Sequence, residues 1–171
     1  MSDPRAMFDL TGKTALITGG SRGLGIQLAE ALGDFGARLI ISSRKEADLV
    51  AARDHLKARG IDVDYVVADV INDDDTFRLA DEAIERLGKV DILVNNAGAS
   101  WGAPTEDHPI DAFDKIMNLN IRSLFVLSQR IAKKSMIPNR YGRIISMSSM
   151  AGMRGAPDLV AYNTSKGAVI N

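Results

Sequence analysis

The chain has 171 residues, of which 21 are Lys or Arg, 22 are Asp or Glu and none is Cys, and its formal net charge is -1. This length suits one domain with a buried core, the charge balance offers no basic surface for nucleic acid, and the lack of cysteine excludes disulfides and thiolate metal sites. Since no apolar run is as long as a membrane span and MSDPRAMFDL lacks a signal-peptide core, we expect a cytoplasmic protein with no membrane partner.

Five short apolar runs alternate with longer segments of helical period. The runs are TALIT (14–18), RLIIS (38–42), DYVVA (64–68), DILVN (91–95) and RIISM (143–147). Their composition predicts strands that are buried on both faces, as in a parallel sheet. The strict alternation with helices predicts a doubly wound α/β sheet, with one domain spanning residues 1–171.

Glycines mark where several of the predicted helices end. The first helix is expected to end at Gly36, and later helices end near Gly60 and Gly88. An apolar stripe on the first helix is made of Leu24, Leu28, Leu32 and Phe35. This spacing is typical of an amphipathic helix.

A glycine-rich loop, TGGSRGLG (18–25), follows the first predicted strand. Doubly wound sheets bind ligands at the carboxyl ends of their strands. The glycines fit neither the phosphate-loop pattern nor the usual G-x-G-x-x-G spacing, yet they permit a tight turn and close approach to a pyrophosphate. The sequence therefore predicts a dinucleotide site here, the alternative being an ordinary turn. The predicted contacts are Gly19, Ser21, Arg22, Gly23, Leu24 and Gly25.

The end of the second strand, SSRK, indicates which dinucleotide is bound. Enzymes that prefer NAD place an acidic residue there for the ribose 2'-hydroxyl, whereas a 2'-phosphate needs a cation. Here Ser43 is neutral and Arg44 is positive, and Arg22 could supply a second guanidinium. Each charge-assisted hydrogen bond is worth roughly 1.5–3 kcal/mol. NADP is therefore predicted over NAD, unless both arginines are merely solvated.

Two further strand ends carry candidate cofactor contacts. Asp69 could meet the adenine amino group while Val70 packs on the ring, although Asp69 could equally be a helix cap. The motif NNAG contributes Asn96, Ala97 and Gly98, which are small or polar enough for backbone to pass close to a flat ligand. A plain turn is the alternative for NNAG.

A single amide interrupts the apolar stripe of the helix that follows. The stripe consists of Ile110, Phe113, Met117, Asn120, Leu124, Leu127 and Ile131. A buried amide without partners costs on the order of 1–3 kcal/mol, so Asn120 should bind water, backbone or ligand. A structural kink at this position is the alternative.

Four polar residues near the end of the chain lie close to the expected substrate position. Ser148 and Ser149 follow the fifth strand, and Ser149 precedes Tyr162 by thirteen residues. Tyr162 and Lys166 are four residues apart, so a helix would place both on one face. Tyr and Lys also occur at this spacing by chance on solvated helices.

No metal site is predicted, because His55 and His108 lack the spacing of metal ligands.

Taken in order, these motifs resemble those of the short-chain dehydrogenase/reductase family. TGGSRGLG is similar to the family's TGxxxGxG loop, NNAG to its sheet-stabilising motif and YNTSK to its YxxxK motif. Asn120 and Ser149 match the family's helical asparagine and its serine. The match runs from about Phe8 to the last residue. Two sequence stretches, FDLTGKTALITGGSRGLG and WGAPTEDHP, most resemble the gluconate 5-dehydrogenase and 3-oxoacyl-carrier-protein reductase group.

The resemblance implies a Rossmann-like fold and an NADP(H)-dependent oxidoreductase that interconverts a secondary alcohol and a ketone. Tyr162 would be the general acid and base, and Ser149 would hydrogen-bond the carbonyl oxygen. Lys166 would stabilise the phenolate and hold the nicotinamide ribose, and Tyr162 would also contact the cofactor. Asn120 would hold a water that links Lys166 to solvent. The small-molecule substrate stays open between a sugar acid and a 3-oxoacyl thioester.

The resemblance also bears on the ending at Asn171. Family members continue past this point, so we expect this chain to be the N-terminal portion of a longer product, truncated in the YxxxK helix. That helix commonly forms a subunit interface in the family, which implies a homodimer or homotetramer. Two functional classes therefore stay open: an NADP-dependent oxidoreductase, and a dinucleotide-binding module or sensor without turnover.

Overall fold

The computed structural model describes residues 4–171. Its five strands are β1 (Thr14–Thr18), β2 (Arg38–Ser43), β3 (Val63–Val67), β4 (Ile92–Asn95) and β5 (Arg143–Ser146). They form one sheet in the order β3-β2-β1-β4-β5, and every neighbouring pair is parallel. The strand order reverses between β1 and β4, which confirms the prediction of a doubly wound, Rossmann-like α/β fold.

Helices connect the strands. They are α1 (Leu24–Asp34), α2 (Glu46–Ala58), α3 (Asp73–Leu87), α4 (Ile110–Met117), α5 (Ser123–Ile131) and α6 (Val160–Ile170). Turns of π-helix at Asn118–Arg122 and Ala132–Met136 follow α4 and α5, and short 3-10 turns occur at Pro4–Phe8, Thr105–Asp107 and Met150–Gly152. Three glycines with positive φ angles follow helices: Gly36, Gly60 and Gly88. This agrees with their predicted place at helix ends. None of the helices in this described part is long and apolar enough to cross a membrane.

Two apolar clusters cover the two faces of the sheet. Side chains that alternate along a strand point to opposite faces, so Leu16 belongs to the cluster with α3 and α5. Its neighbour Ile17 belongs to the cluster with α1 and α2. The helices on both faces leave the carboxyl ends of the strands as the edge where a ligand can approach.

The prediction that all five strands are buried on both faces is right only for the inner ones. Every residue of β1 and β4 is buried. The edge strand β3 exposes Asp64, and β5 exposes Ile144 and Ile145 at 46% and 43%. An edge strand has one neighbour instead of two, so an apolar composition alone does not bury it.

The apolar stripe predicted for α1 packs on the sheet only in its middle, where Leu28 and Leu32 are partly buried against the core. Leu24 and Phe35 are 61% and 41% exposed, whereas Gly25 and Ala29 are buried. Small residues on this face let the helix axis approach the strands closely. The stripe predicted across α4 and α5 is likewise buried only in its second half, since Ile110 is 76% exposed.

Ion pairs join α3 to the helical segment that runs from α5 to Met136. Arg130 lies 2.7 Å from Asp81, and Lys134 lies 2.8 Å from the same carboxylate. The hydrogen bond from Arg130 holds the pKa of Asp81 below its ordinary value. These side chains are partly exposed, so solvent screens each pair and its contribution to stability is small.

Candidate active site

The glycine loop after β1 is shaped by close backbone contacts. Gly19 and Gly23 have φ angles of 64° and 55°, which side chains disfavour. A Cβ atom at Gly25 would lie 2.0 Å from the carbonyl oxygen of Gly19. Gly23 directly precedes α1, and it has no side chain that could cap the helix. The amides of the first turn of α1 are therefore available to an anionic group.

The NNAG motif holds this loop against the end of β4. The Nδ2 atom of Asn96 donates hydrogen bonds to the carbonyl oxygens of Thr18 and Gly19, at 3.0 and 3.1 Å. In return, Thr18 Oγ1 accepts bonds from the backbone amides of Asn96 and Ala97. Asn95 Nδ2 donates to Ser128 Oγ at 2.9 Å and so connects β4 to α5. The motif therefore connects the ends of β1 and β4 through hydrogen bonds and is more than a plain turn.

A cavity of about 310 Å³ lies over the carboxyl ends of the inner strands. Eleven of the predicted cofactor-binding residues line it: Gly19, Ser21, Arg22, Gly23, Ser43, Arg44, Asp69, Val70, Asn96, Ala97 and Gly98. Gly25 lies behind the loop and not in the cavity wall. Sequence reasoning missed Thr18, Ser42, Ala68 and Leu119, which also line the cavity.

Unsatisfied polar groups are concentrated at the β2 side of this cavity. Within residues 4–171, neither Arg22 nor Arg44 forms an ion pair, although most arginines of the chain do. The hydroxyl oxygens of Ser42 and Ser43 are buried without a hydrogen-bond partner in the same part of the chain. A buried polar group without a partner costs about 1–3 kcal/mol. This end of the cavity therefore has the charge and the hydrogen-bonding capacity for a phosphate group.

Asp69 does not serve as the cap of α3. That cap is Asn72, whose side chain accepts a hydrogen bond from the amide of Asp75. The Asp69 carboxylate instead accepts a bond from the amide of Ile71 at 3.2 Å and stays in the cavity wall beside Val70. The contact of Asp69 and Val70 with adenine stays a prediction.

A second cleft of about 250 Å³ adjoins the first cavity, because both are lined by Asn96 and Gly98. Its other lining residues are Leu24, Ala99, Ser100, Met147, Ser148, Tyr162 and Lys166. Lys166 Nζ lies 5.7 Å from the centroid of the Tyr162 ring. The two side chains therefore share one site, as their spacing on α6 predicts.

Lys166 is held deep in this cleft. It is 6% exposed, and its Nζ atom donates a hydrogen bond of 2.5 Å to the carbonyl oxygen of Met147. Burial lowers the pKa of the ammonium below its ordinary value, because the charged form loses solvation. The ammonium is thus a stronger acid than a solvated lysine.

The two serines after β5 have different environments. Ser148 Oγ donates a hydrogen bond of 2.8 Å to the carbonyl oxygen of Lys166, which fixes α6 to the end of β5. Ser149 Oγ accepts a bond of 3.2 Å from the amide of Ala151, and among the described residues it donates to none. Ser149 does not line the cleft itself, although Ser148 does. The hydroxyl proton of Ser149 is available to a ligand.

Asn120 is 2% exposed and lies in the π-helical turn Asn118–Arg122. Its Nδ2 atom donates to the carbonyl oxygen of Ala99 and to Ser165 Oγ, both at 2.9 Å. Its Oδ1 atom accepts from the amide of Ala99 at 3.0 Å. Backbone and a serine therefore satisfy the amide, and the helix is irregular at the same place. The water that Asn120 would hold stays a prediction.

The fold and these motifs can be compared with known proteins. The sequence profile of a family described as short chain dehydrogenase matches residues 13–171. The chain belongs to this family. It is 37% identical over 172 residues to gluconate 5-dehydrogenase of Gluconobacter oxydans, covering 100% of this chain and 66% of that protein. It is also 37% identical over 166 residues to the rhamnolipids biosynthesis 3-oxoacyl-(acyl-carrier-protein) reductase of Pseudomonas aeruginosa, covering 95% and 64%.

Solved structures support the same family membership. A gluconate 5-dehydrogenase from Burkholderia cenocepacia in complex with NADP and tartrate superposes with a TM-score of 0.91 at 34% identity, covering 98% of this chain and 65% of that chain. An NAD+-bound xylitol dehydrogenase also superposes with a TM-score of 0.91, at 32% identity, with 94% and 62% covered. The resemblance to the gluconate 5-dehydrogenase and 3-oxoacyl reductase group is confirmed. The chain spans somewhat less than two thirds of the length of these relatives.

Proposed function

We propose that this chain is the cofactor-binding and catalytic part of an NADP(H)-dependent oxidoreductase that interconverts a secondary alcohol and a ketone. One observation carries the proposal. Tyr162 and Lys166 line a cleft that adjoins, through Asn96 and Gly98, a cavity lined by the glycine loop and by Arg22 and Arg44. Membership of the short-chain dehydrogenase family supports the same class of reaction.

The residues of the larger cavity fit NADP. Arg22 and Arg44 have no ion-pair partner within residues 4–171, and Ser43 has a buried hydroxyl without a partner, so these three would hold the 2'-phosphate. The glycine loop and the first amides of α1 would hold the pyrophosphate. When bound, the cofactor supplies or accepts a hydride at its nicotinamide ring. One similar structure contains NADP and another contains NAD+. In this chain the end of β2 carries Ser43 and Arg44 and no acidic residue, which favours NADP.

Tyr162 would move the proton in the reaction. Its phenol hydroxyl would donate a proton to the carbonyl oxygen during ketone reduction, and its phenolate would accept a proton from the alcohol during oxidation. The Lys166 ammonium lies 5.7 Å from the phenol ring, where its attraction to a phenolate is roughly 3 kcal/mol at an effective dielectric of about 20. Burial lowers the pKa of Lys166, which makes it a better proton donor toward that phenolate.

Ser149 and Asn120 would complete the site. The free hydroxyl proton of Ser149 would bind the oxygen on which negative charge develops, which stabilises the transition state. Asn120 would order the wall of the cleft through Ala99 and supply the path by which a water reaches Lys166. These roles follow from the family resemblance and are supported by the position of Asn120 between the Ala99 loop and α6.

The substrate class within this proposal is a sugar acid or a 3-oxoacyl thioester, which are the substrates that the names of the two curated relatives indicate. A cytoplasmic location and a homodimeric or homotetrameric assembly belong to the same proposal. Apolar side chains that are well exposed in the single chain, such as Phe125 and Ile137, support the assembly.

The first experiment is a fluorescence titration with NADPH and NADH, followed by turnover assays with gluconate-type and 3-oxoacyl substrates. We expect NADPH to bind more tightly and one substrate class to be turned over. Binding of NADPH without turnover of any substrate would favour the module or sensor that lacks catalysis. Failure to bind either dinucleotide would contradict the proposal as a whole.

A further inference from the structure

Asn163 follows Tyr162 directly and holds the segment that lies before α6. Its Nδ2 atom donates a hydrogen bond of 2.8 Å to the carbonyl oxygen of Ala156. Its Oδ1 atom accepts a bond of 3.3 Å from the amide of the same Ala156. One side-chain amide thus engages both backbone groups of one residue, as a neighbouring strand would. We call residues 153–159 the pre-helix segment.

The same arrangement occurs in the wall of the cleft. Asn120 binds both the amide and the carbonyl oxygen of Ala99, at 3.0 and 2.9 Å. Ala99 and Ser100 line the cleft that contains Tyr162. Two asparagines therefore order two stretches of irregular backbone, and the one at Ala99 lines the predicted site of reaction.

The two ordered stretches contact each other. The amide of Ala103, just beyond Ser100, donates a bond of 2.8 Å to the carbonyl oxygen of Asp158. Asp158 has a φ angle of 59°, in the left-handed region, which costs a residue with a side chain on the order of 1–3 kcal/mol. Such a conformation persists only when its surroundings fix it. The hydrogen bonds of Asn163 to nearby Ala156 contribute to fixing it.

We infer that Asn163 is a positioning residue: it orders the pre-helix segment, which supports, through the bond between Asp158 and Ala103, the loop whose residues Ala99 and Ser100 line the substrate cleft. The inference rests on the proposed function, because it takes the cleft at Tyr162 to be the place where substrate binds. The pre-helix segment exposes Met153 and Arg154, and none of its residues lines the larger cavity or the cleft at Tyr162. Asn163 therefore affects substrate binding only through the loop 99–103, and we expect cofactor affinity to stay unchanged.

Hydrogen exchange and limited proteolysis test the ordering without any need for activity. Asn163→Ala removes both hydrogen bonds, so exchange at the Ala156 amide and trypsin cleavage after Arg154 should each become about tenfold faster or more. Asn163→Asp keeps the acceptor but not the donor, and its rates should be intermediate. The control is Thr164→Ala, because within residues 4–171 the exposed Thr164 hydroxyl bonds only to Val160 of the same helix.

Turnover distinguishes a positioning role from a merely structural one. With a substrate identified by the screen, Asn163→Ala should raise KM about tenfold while kcat and the Kd for NADPH stay within about twofold. Exchange and cleavage rates equal to those of Thr164→Ala would overturn the inference, as would faster exchange with an unchanged KM. If Asn163→Ala does not fold, exchange rates, cleavage rates and KM are measured with Asn163→Asp instead. If the wild type turns over no substrate, the proposed function fails, and exchange and cleavage still decide whether Asn163 orders the segment.

Discussion

Changing the end of β2 should change the preferred dinucleotide. Ser43 is the last residue of β2, Arg44 follows it, and both line the larger cavity. The double variant Ser43→Asp with Arg44→Ala would place a carboxylate where the 2'-phosphate is expected and remove a cation. The carboxylate would repel a phosphate but could accept hydrogen bonds from a 2'-hydroxyl. We expect the preference to move from NADPH toward NADH.

The size of the shift follows from the contacts that are available. Within the described residues Arg44 has no ion-pair partner, so its charge-assisted bonds to a phosphate would add roughly 1.5–3 kcal/mol each. Losing one such bond should weaken NADPH binding about tenfold to a hundredfold. Repulsion by the new carboxylate adds to this loss, and because Arg44 is exposed, high salt should reduce the difference.

The assay is a fluorescence titration of both dinucleotides at low and high salt. NADPH affinity should fall by about tenfold or more in the double variant, while NADH affinity stays the same or rises. Arg59→Ala is the control, because Arg59 is partly exposed, lies outside the cavity and pairs with Asp34. The reasoning is refuted if the wild type binds NADH as tightly as NADPH, or if the double variant loses both dinucleotides equally.

Two other predictions concern the glycine loop and acid stability. Gly25→Ala places a Cβ atom 2.0 Å from the Gly19 carbonyl oxygen, so it should cost about 1–3 kcal/mol and weaken NADPH binding at least about tenfold in a titration. Gly167→Ala, whose Cβ atom meets only an ordinary 3.5 Å contact, should bind NADPH like the wild type, and equal behaviour of the two variants would contradict the clash. The hydrogen bond from Arg130 lowers the pKa of Asp81 in the folded state. The Asp81–Arg130 pair therefore contributes to stability above the ordinary carboxyl pKa, and this contribution is lost as pH falls through the pKa of Asp81 in the folded protein. Urea unfolding should therefore show Asp81→Asn less stable than wild type at neutral pH but not at acid pH, and a pH-independent difference would contradict this.

The apolar runs predicted the sheet well because burial of a strand and its composition are linked. All five strands begin and end within one residue of the predicted bounds. The same runs did not indicate which strands lie at an edge. Ile144 and Ile145 are as apolar as the buried residues of β1, but β5 pairs only with β4 among the described strands. Exposure depends on the number of neighbours, which composition does not encode.

The motifs predicted that Tyr162 and Lys166 lie together, whereas Ser149 does not line their cleft, and no motif indicated what holds these side chains in place. Tyr162 and Lys166 share the cleft because helical spacing fixes their relation. Ser165 was missed, although it is fully buried, accepts from Asn120 and donates to the carbonyl oxygen of Tyr162. Asn163 was missed as well. Both act on partners whose positions depend on the tertiary fold, so no local spacing in the sequence marks them.

The most direct test of the proposed chemistry is the turnover of Tyr162→Phe with saturating NADPH and a ketone substrate. The variant keeps the ring beside Lys166 but lacks the hydroxyl that would donate the proton. We predict that kcat falls by at least about a hundredfold while the Kd for NADPH changes by less than about twofold. A Tyr162→Phe variant that retains most of the wild-type kcat would show that another group supplies the proton, and the assignment of Tyr162 as general acid would be wrong.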